Sequence, residues 1–159
     1  MFRSRITLSL ALASCATLGT ALYASQAAPK IEMPSHKDQY SLFIYETAKD
    51  YALRTDAGPA GQQYWAGWAA YHQQLVEAGV ARGGMPLQLA DSVRQIRVND
   101  GKTSVASGPI LSSGTELQLS GFMMIEAKSL EDAIAWAAKA PNASTSVVEV
   151  RPAYVMSER

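Results

Sequence analysis

Cysteine is almost missing from this chain: one residue in 159, at Cys15. A lone cysteine closes no disulfide within a chain, and cleavage downstream of it leaves no thiol nucleophile. Histidine occurs only at His36 and His72, too few to form a metal cluster without cysteine beside them. An excess of charge of one sign is also missing. Fourteen basic residues face fourteen acidic ones with no basic stripe, so a nucleic-acid surface is not expected. There is no Gly-x-Ser-x-Gly, and Gly83-Gly84 lacks the surroundings of a phosphate-binding loop. No repeat and no low-complexity stretch interrupts the chain. No cofactor and no metal site are expected, and the length is that of one ordinary domain with a real core.

What is present begins with an export signal. Arg3 and Arg5 precede an apolar run over residues 6–23, followed by small residues up to Ala27 and Ala28 and then Pro29. This order predicts a signal peptide over residues 1–28, and hence a periplasmic or secreted protein. Leu12-Ala13-Ser14-Cys15 resembles a lipobox, which would anchor the protein through a lipid on Cys15. An uncleaved anchor is a third reading, and all three export the domain. Cleavage near Ala27 removes two arginines and leaves 12 basic residues against 14 acidic, a net charge of −2. Residues 29–39 read as a polar leader with His36 solvated, 40–155 as the domain, and 156–159 as a tail. No membrane insertion of the mature domain is expected.

Residues 40–46 are aromatic and β-branched on both faces, as in a central strand. Residues 55–61 carry Asp56, Gly58, Pro59 and Gly61 and read as a loop. Residues 62–78 read as a helix. Its stripe would be Trp65, Trp68, His72, Leu75, Val76 and Gly79, with Gly79 as the stop. His72 on that stripe is either a core histidine with one partner or a pocket residue. Residues 82–91 read as irregular. Asp100-Gly101 predicts a two-residue hairpin turn that sets Asn99 against Lys102, Val98 against Thr103, Ile96 against Val105 and Arg94 against Ser107. Arg94 and Ser107 then share the open end of an otherwise apolar face, like the mouth of a cleft. Gly108-Pro109 turns the chain away, because a strand ladder tolerates neither residue well. Residues 110–120 read as a loop and 121–127 as a buried strand. A helix capped at Ser129 follows, stopped by Pro141, and residues 146–152 form the last strand. Asn142-Ala143-Ser144 fits a glycosylation triplet.

This order predicts an α+β fold of the ferredoxin-like kind, with two helices on one face of a mainly antiparallel sheet. The added hairpin is expected to extend or curl that sheet. The first strand is apolar on both sides, so the sheet's second face needs cover, and a homodimer supplies it.

Several pieces of the run from 40 to about 152 resemble a known family. They are Leu42-Phe43-Ile44-Tyr45-Glu46, Ala78-Gly79-Val80, Ser92-Val93-Arg94 with Asp100-Gly101, Gly108-Pro109, Ser120-Gly121-Phe122, Trp136-Ala137-Ala138 and Val148-Glu149-Val150-Arg151-Pro152. In order and spacing they resemble the YCII-related family, in particular its DGPF subgroup. That resemblance implies a dimeric α+β barrel. The chain departs from the subgroup at two points of its namesake motif, where Ser107 replaces Asp and Ile110 replaces Phe. The loop that follows is longer and keeps Glu116 as its one acid. Some family members are proposed to use a His-Asp pair, and the resemblance places that helix histidine at Trp68 rather than His72.

Three functions are therefore weighed. The first is an envelope module that binds a small anionic ligand through Arg94, Ser107 and His72 without an acid-base pair. The second is a small-molecule enzyme with His72 as base and Arg94 as anion clamp. The third is a structural or protein-interaction dimer.

Overall fold

The computed structural model describes residues 36–88, 90–109 and 116–155. The expected signal peptide (1–28), most of the expected leader, residues 110–115 of the expected 110–120 loop and the expected 156–159 tail lie outside the described residues, and residues 117–120 belong to a strand rather than to that loop. The fold is α+β, built on a four-stranded antiparallel sheet.

Strand β1 (Gln39–Thr47) lies inside the sheet, between β5 (Leu117–Glu126) and β6 (Val147–Pro152). Strand β2 (Ala81–Pro86) pairs with the far side of β5, giving the order β2-β5-β1-β6. The order and antiparallel pairing agree with a ferredoxin-like arrangement. Alternation along β1 turns Leu42, Ile44 and Glu46 to one face, where all three are buried. There Leu42 and Ile125 pack with Tyr71 and Leu75 of helix α2 (Pro59–Glu77) and with Ala133 and Ala137 of α3 (Leu130–Ala137). The opposite face carries Phe43, Tyr45, Phe122 and Met124, none of them buried.

Several segments differ from the sequence reading. A short helix α1 (Ala48–Ala52) follows β1 directly, and Thr47 caps it by accepting the Asp50 N–H at 3.1 Å. Helix α2 begins at Pro59, three residues earlier than expected, because proline suits the first turn of a helix, where its missing N–H costs nothing. Its buried stripe is Gly61, Tyr71 and Leu75 with Tyr64 and Trp68 partly covered, so the expected stripe is turned by a step and His72 is exposed. The core reading of His72 is thereby corrected. At the other end Gly79, with φ +70°, closes α2 as expected. Gly79 N–H reaches Val76 O, and Val80 N–H reaches Leu75 O. Residues 81–86 are a strand, not irregular chain. Ser129 caps α3 by accepting the Asp132 N–H, but α3 ends at Ala137, short of Pro141.

The hairpin of β3 (Arg94–Asn99) and β4 (Lys102–Ser107) has the predicted register throughout, including Arg94 opposite Ser107. Asp100 and Gly101 take φ of 49° and 74°, as the tight turn requires. The hairpin does not extend the main sheet, however. It forms a separate two-stranded sheet, because Gly108 and Pro109 break the ladder on one side and the residues after Pro86 on the other.

Candidate functional site

A cleft of about 350 Å³ opens between α2 and the β2–β5 side of the sheet. The sequence makes room for it there. Gly83 and Gly84 put no side chains on β2, so that wall of the cleft is largely backbone. Gly84 has φ +143°, and a Cβ at this position would lie 2.4 Å from Phe122 O, so the strand tolerates only glycine. The facing wall is the flank of α2, with Trp65, Trp68, Ala69 and His72. Met123, in register with the inward Leu42, adds to a predominantly apolar lining.

One end of the cleft is polar and built from a buried cluster. Glu46 is the last inward residue of β1, and its side chain has no solvent exposure. Arg54 Nη2 donates to Glu46 Oε2 at 2.7 Å and to Ser120 O at 2.9 Å. Arg54 Nη1 donates to Leu87 O at 3.0 Å, and Nε donates to Tyr64 Oη at 2.9 Å. Tyr64 O–H in turn donates to Glu46 Oε1 at 2.8 Å. The Tyr51 ring lies under the guanidinium at 4.5 Å, and Trp65 Nε1 donates to Arg54 O at 3.1 Å. Each polar atom of the pair is answered, which is the condition for tolerating a buried charge pair. Burial, followed by the Glu46 carboxylate that accepts its proton, pushes the Tyr64 hydroxyl up to about 12. It is therefore a neutral hydrogen-bond donor at physiological pH.

Glu46, Arg54 and Tyr64 were not singled out in the sequence. One signal was available: Glu46 shares the parity of Leu42 and Ile44, and a carboxylate on a core-facing position needs a cation. Of the three residues that were singled out, His72 lines the cleft, and its ring makes no hydrogen bond among the described residues. Arg94 and Ser107 face each other across the hairpin, are exposed, and do not line the cleft. Arg94 Nη1 donates to Asp91 O and Val93 O, so it is not the half-buried, partnerless cation that would call for an anion. Trp68, at the position the resemblance gives to a histidine, is part of the cleft wall, and its buried Nε1 has no partner.

The chemistry open to this site is narrow. Arg54 carries charge, but Glu46 neutralises it. Tyr64 keeps its proton. His72 is the remaining titratable side chain in the lining, and no carboxylate lines the cleft to orient it. Among the described residues no cluster of three or more His, Cys, Asp or Glu side chains could hold a metal ion. No helix among them is long and apolar enough to cross a membrane.

No curated protein matches the chain. The family model of the YCII-related domain does, over residues 39–157, a span that takes in the whole sheet, the helices and the cleft, and the chain accordingly belongs to the YCII-related domain family.

Proposed function

We propose that this domain is a noncatalytic module that binds a small, largely apolar and uncharged molecule in the cleft between α2 and the β2–β5 strands. The observation that carries this reading is the pairing of Arg54 within the protein. Four hydrogen bonds, one of them to the Glu46 carboxylate, leave its guanidinium no unmatched charge to offer an anion. Ligand pockets of this kind are mostly apolar, with a few placed polar groups that set orientation. Here the ligand would lie along Trp65 and Trp68 with His72 at its rim. Ser107 in place of the DGPF-subgroup Asp, and Trp68 in place of the family histidine, support binding over acid-base chemistry. The enzymatic alternative would use His72 as base, yet a base needs a partner to hold its ring, and the cleft lining offers no carboxylate.

The test is calorimetry with a neutral and an anionic probe of one shape, 1-naphthol and 1-naphthoate. The expected result is saturable naphthol binding at least as tight as that of naphthoate. Ala69→Phe, at an exposed position on the cleft wall, is expected to weaken it at least tenfold. Tighter naphthoate binding, or no effect of Ala69→Phe, would overturn the proposal.

Two further parts of the reading concern context. The Arg3/Arg5, apolar-run and Ala27-Ala28 order supports export, and recovery of intact Met1 in soluble cytoplasm would refute it. The partly exposed face of Phe43, Tyr45, Phe122 and Met124 supports a homodimer in which a second sheet covers the first.

A further inference from the structure

We propose that His72 sets which charge form of a ligand the cleft accepts. Uncharged, it leaves the cleft to neutral molecules; protonated, it improves the fit of an aromatic carboxylate of the same shape. This role rests on the binding reading of the same cleft and names the residue that governs its selectivity.

The lining holds three ionisable side chains, Arg54, Tyr64 and His72. Arg54 is bonded to the Glu46 carboxylate at 2.7 Å, so the buried end is neutral as a unit. Tyr64 keeps its proton, because burial and the Glu46 carboxylate push its hydroxyl up to about 12. The charge of the lining therefore changes at His72. Histidine is the side-chain type that gains charge as pH falls from about 8 to about 5. The chain's other histidine, His36, stands at the turn before β1 with Nδ1 2.8 Å from Gln39 Oε1, and does not line the cleft.

Charged groups on the surrounding elements have partners of their own. On α2, Glu77 Oε1 accepts from Gln73 Nε2 at 2.7 Å. On β2, Arg82 pairs with Glu126 of β5 at 2.9 Å. On β1, Glu46 is held by Arg54 and Tyr64. No carboxylate lines the cleft to neutralise a protonated His72. An unpaired carboxylate is costly to bury among apolar side chains, so an aromatic acid would turn that group to the open rim. His72 is exposed and belongs to the lining, which places it at that rim. The attraction acts beside solvent, where it changes affinity several-fold rather than by orders of magnitude.

The experiment titrates the full-length chain with 1-naphthol and 1-naphthoate by calorimetry at about pH 8 and about pH 5.5, where the phenol stays protonated and the carboxylate stays ionised. The Kd of naphthoate divided by that of naphthol is expected to fall at least threefold at the lower pH. His72→Gln should abolish that change. His72→Lys, cationic at both pH values, should show the lower ratio at both. If both probes bind the parent but the ratio does not move with pH, or moves equally in His72→Gln, the role of His72 is overturned and the binding reading stands. Absence of saturable binding by either probe at either pH would overturn both.

Discussion

Arg54 shows how one side chain can decide the character of a site. Its guanidinium looks like an anion clamp only until its partners are counted. Three of its hydrogen bonds go to oxygens of Glu46, Leu87 and Ser120, so the cation is spent on holding the protein together. Removing one member of a buried pair leaves the other charge stranded, which costs about 3–5 kcal/mol. Arg54→Met should therefore lower stability by that amount in urea unfolding. Adding Glu46→Leu to Arg54→Met should recover at least half of the loss. A double variant as unstable as the sum of the singles would mean that the two side chains do not act as a pair. Gly61 matters in a different way: a Cβ there would lie 1.9 Å from Asp56 O, which fixes the approach of the preceding loop to α2.

At the scale of elements, β2 defines the cleft by what it lacks. Gly84→Val would put a branched side chain against Phe122 O in a backbone conformation that only glycine adopts readily. The variant should lose at least about 2 kcal/mol of stability and all naphthol binding. Retention of both would show that the strand can shift to make room. This same strand was not legible in the sequence, because Gly83, Gly84 and Pro86 carry the chemistry of a loop. Its ladder with β5 is a non-local contact some forty residues away, which local propensity does not report. The β3–β4 hairpin was legible to the residue, since a period of two and an Asp-Gly turn leave one register. The start of α2 was hidden by Pro59, which reads as a breaker but serves as a first-turn residue. The turn of its stripe was hidden by Tyr71, whose hydroxyl is buried because it donates to Trp136 O at 3.1 Å. The site was legible in part. His72 could be picked out from its helix, but the Glu46–Arg54–Tyr64 cluster joins residues whose proximity exists only after the sheet and helices meet.

For the molecule as a whole, two tyrosines set the response to base. Burial pushes Tyr71 up to about 12, and burial with the Glu46 contact does the same for Tyr64, while unfolded tyrosine titrates near 10. A raised folded pKa adds stability that is complete below pH 10. That stability falls as the unfolded chain ionises and is gone above about 12. Unfolding free energy should thus drop between pH 10 and 12, and Tyr71→Phe should flatten part of the drop. An unchanged slope in that variant would count against the assignment. At the acid end, burial opposes ionisation of Asp50. Hydrogen bonds from Ser146, Thr47 and Thr145, with the Lys49 charge, outweigh it and hold the carboxyl below its usual value. Its contribution is present above the ordinary aspartate range and fades as pH falls through the lower folded value.

The buried pair also constrains how such a chain can change over generations. Glu46 and Arg54 are joined to each other and to Tyr64, so a single replacement at position 46 or 54 passes through a stranded charge. A cost of about 3–5 kcal/mol is a large share of the about 5–15 kcal/mol by which domains are stable. Descendants of this chain should therefore alter positions 46 and 54 together or leave both alone. Ala69 and His72 on the exposed flank of α2 carry no such bond, whereas Trp65 is tied to Arg54 O, so the far part of the cleft wall can drift toward new ligands while its charged end stays fixed.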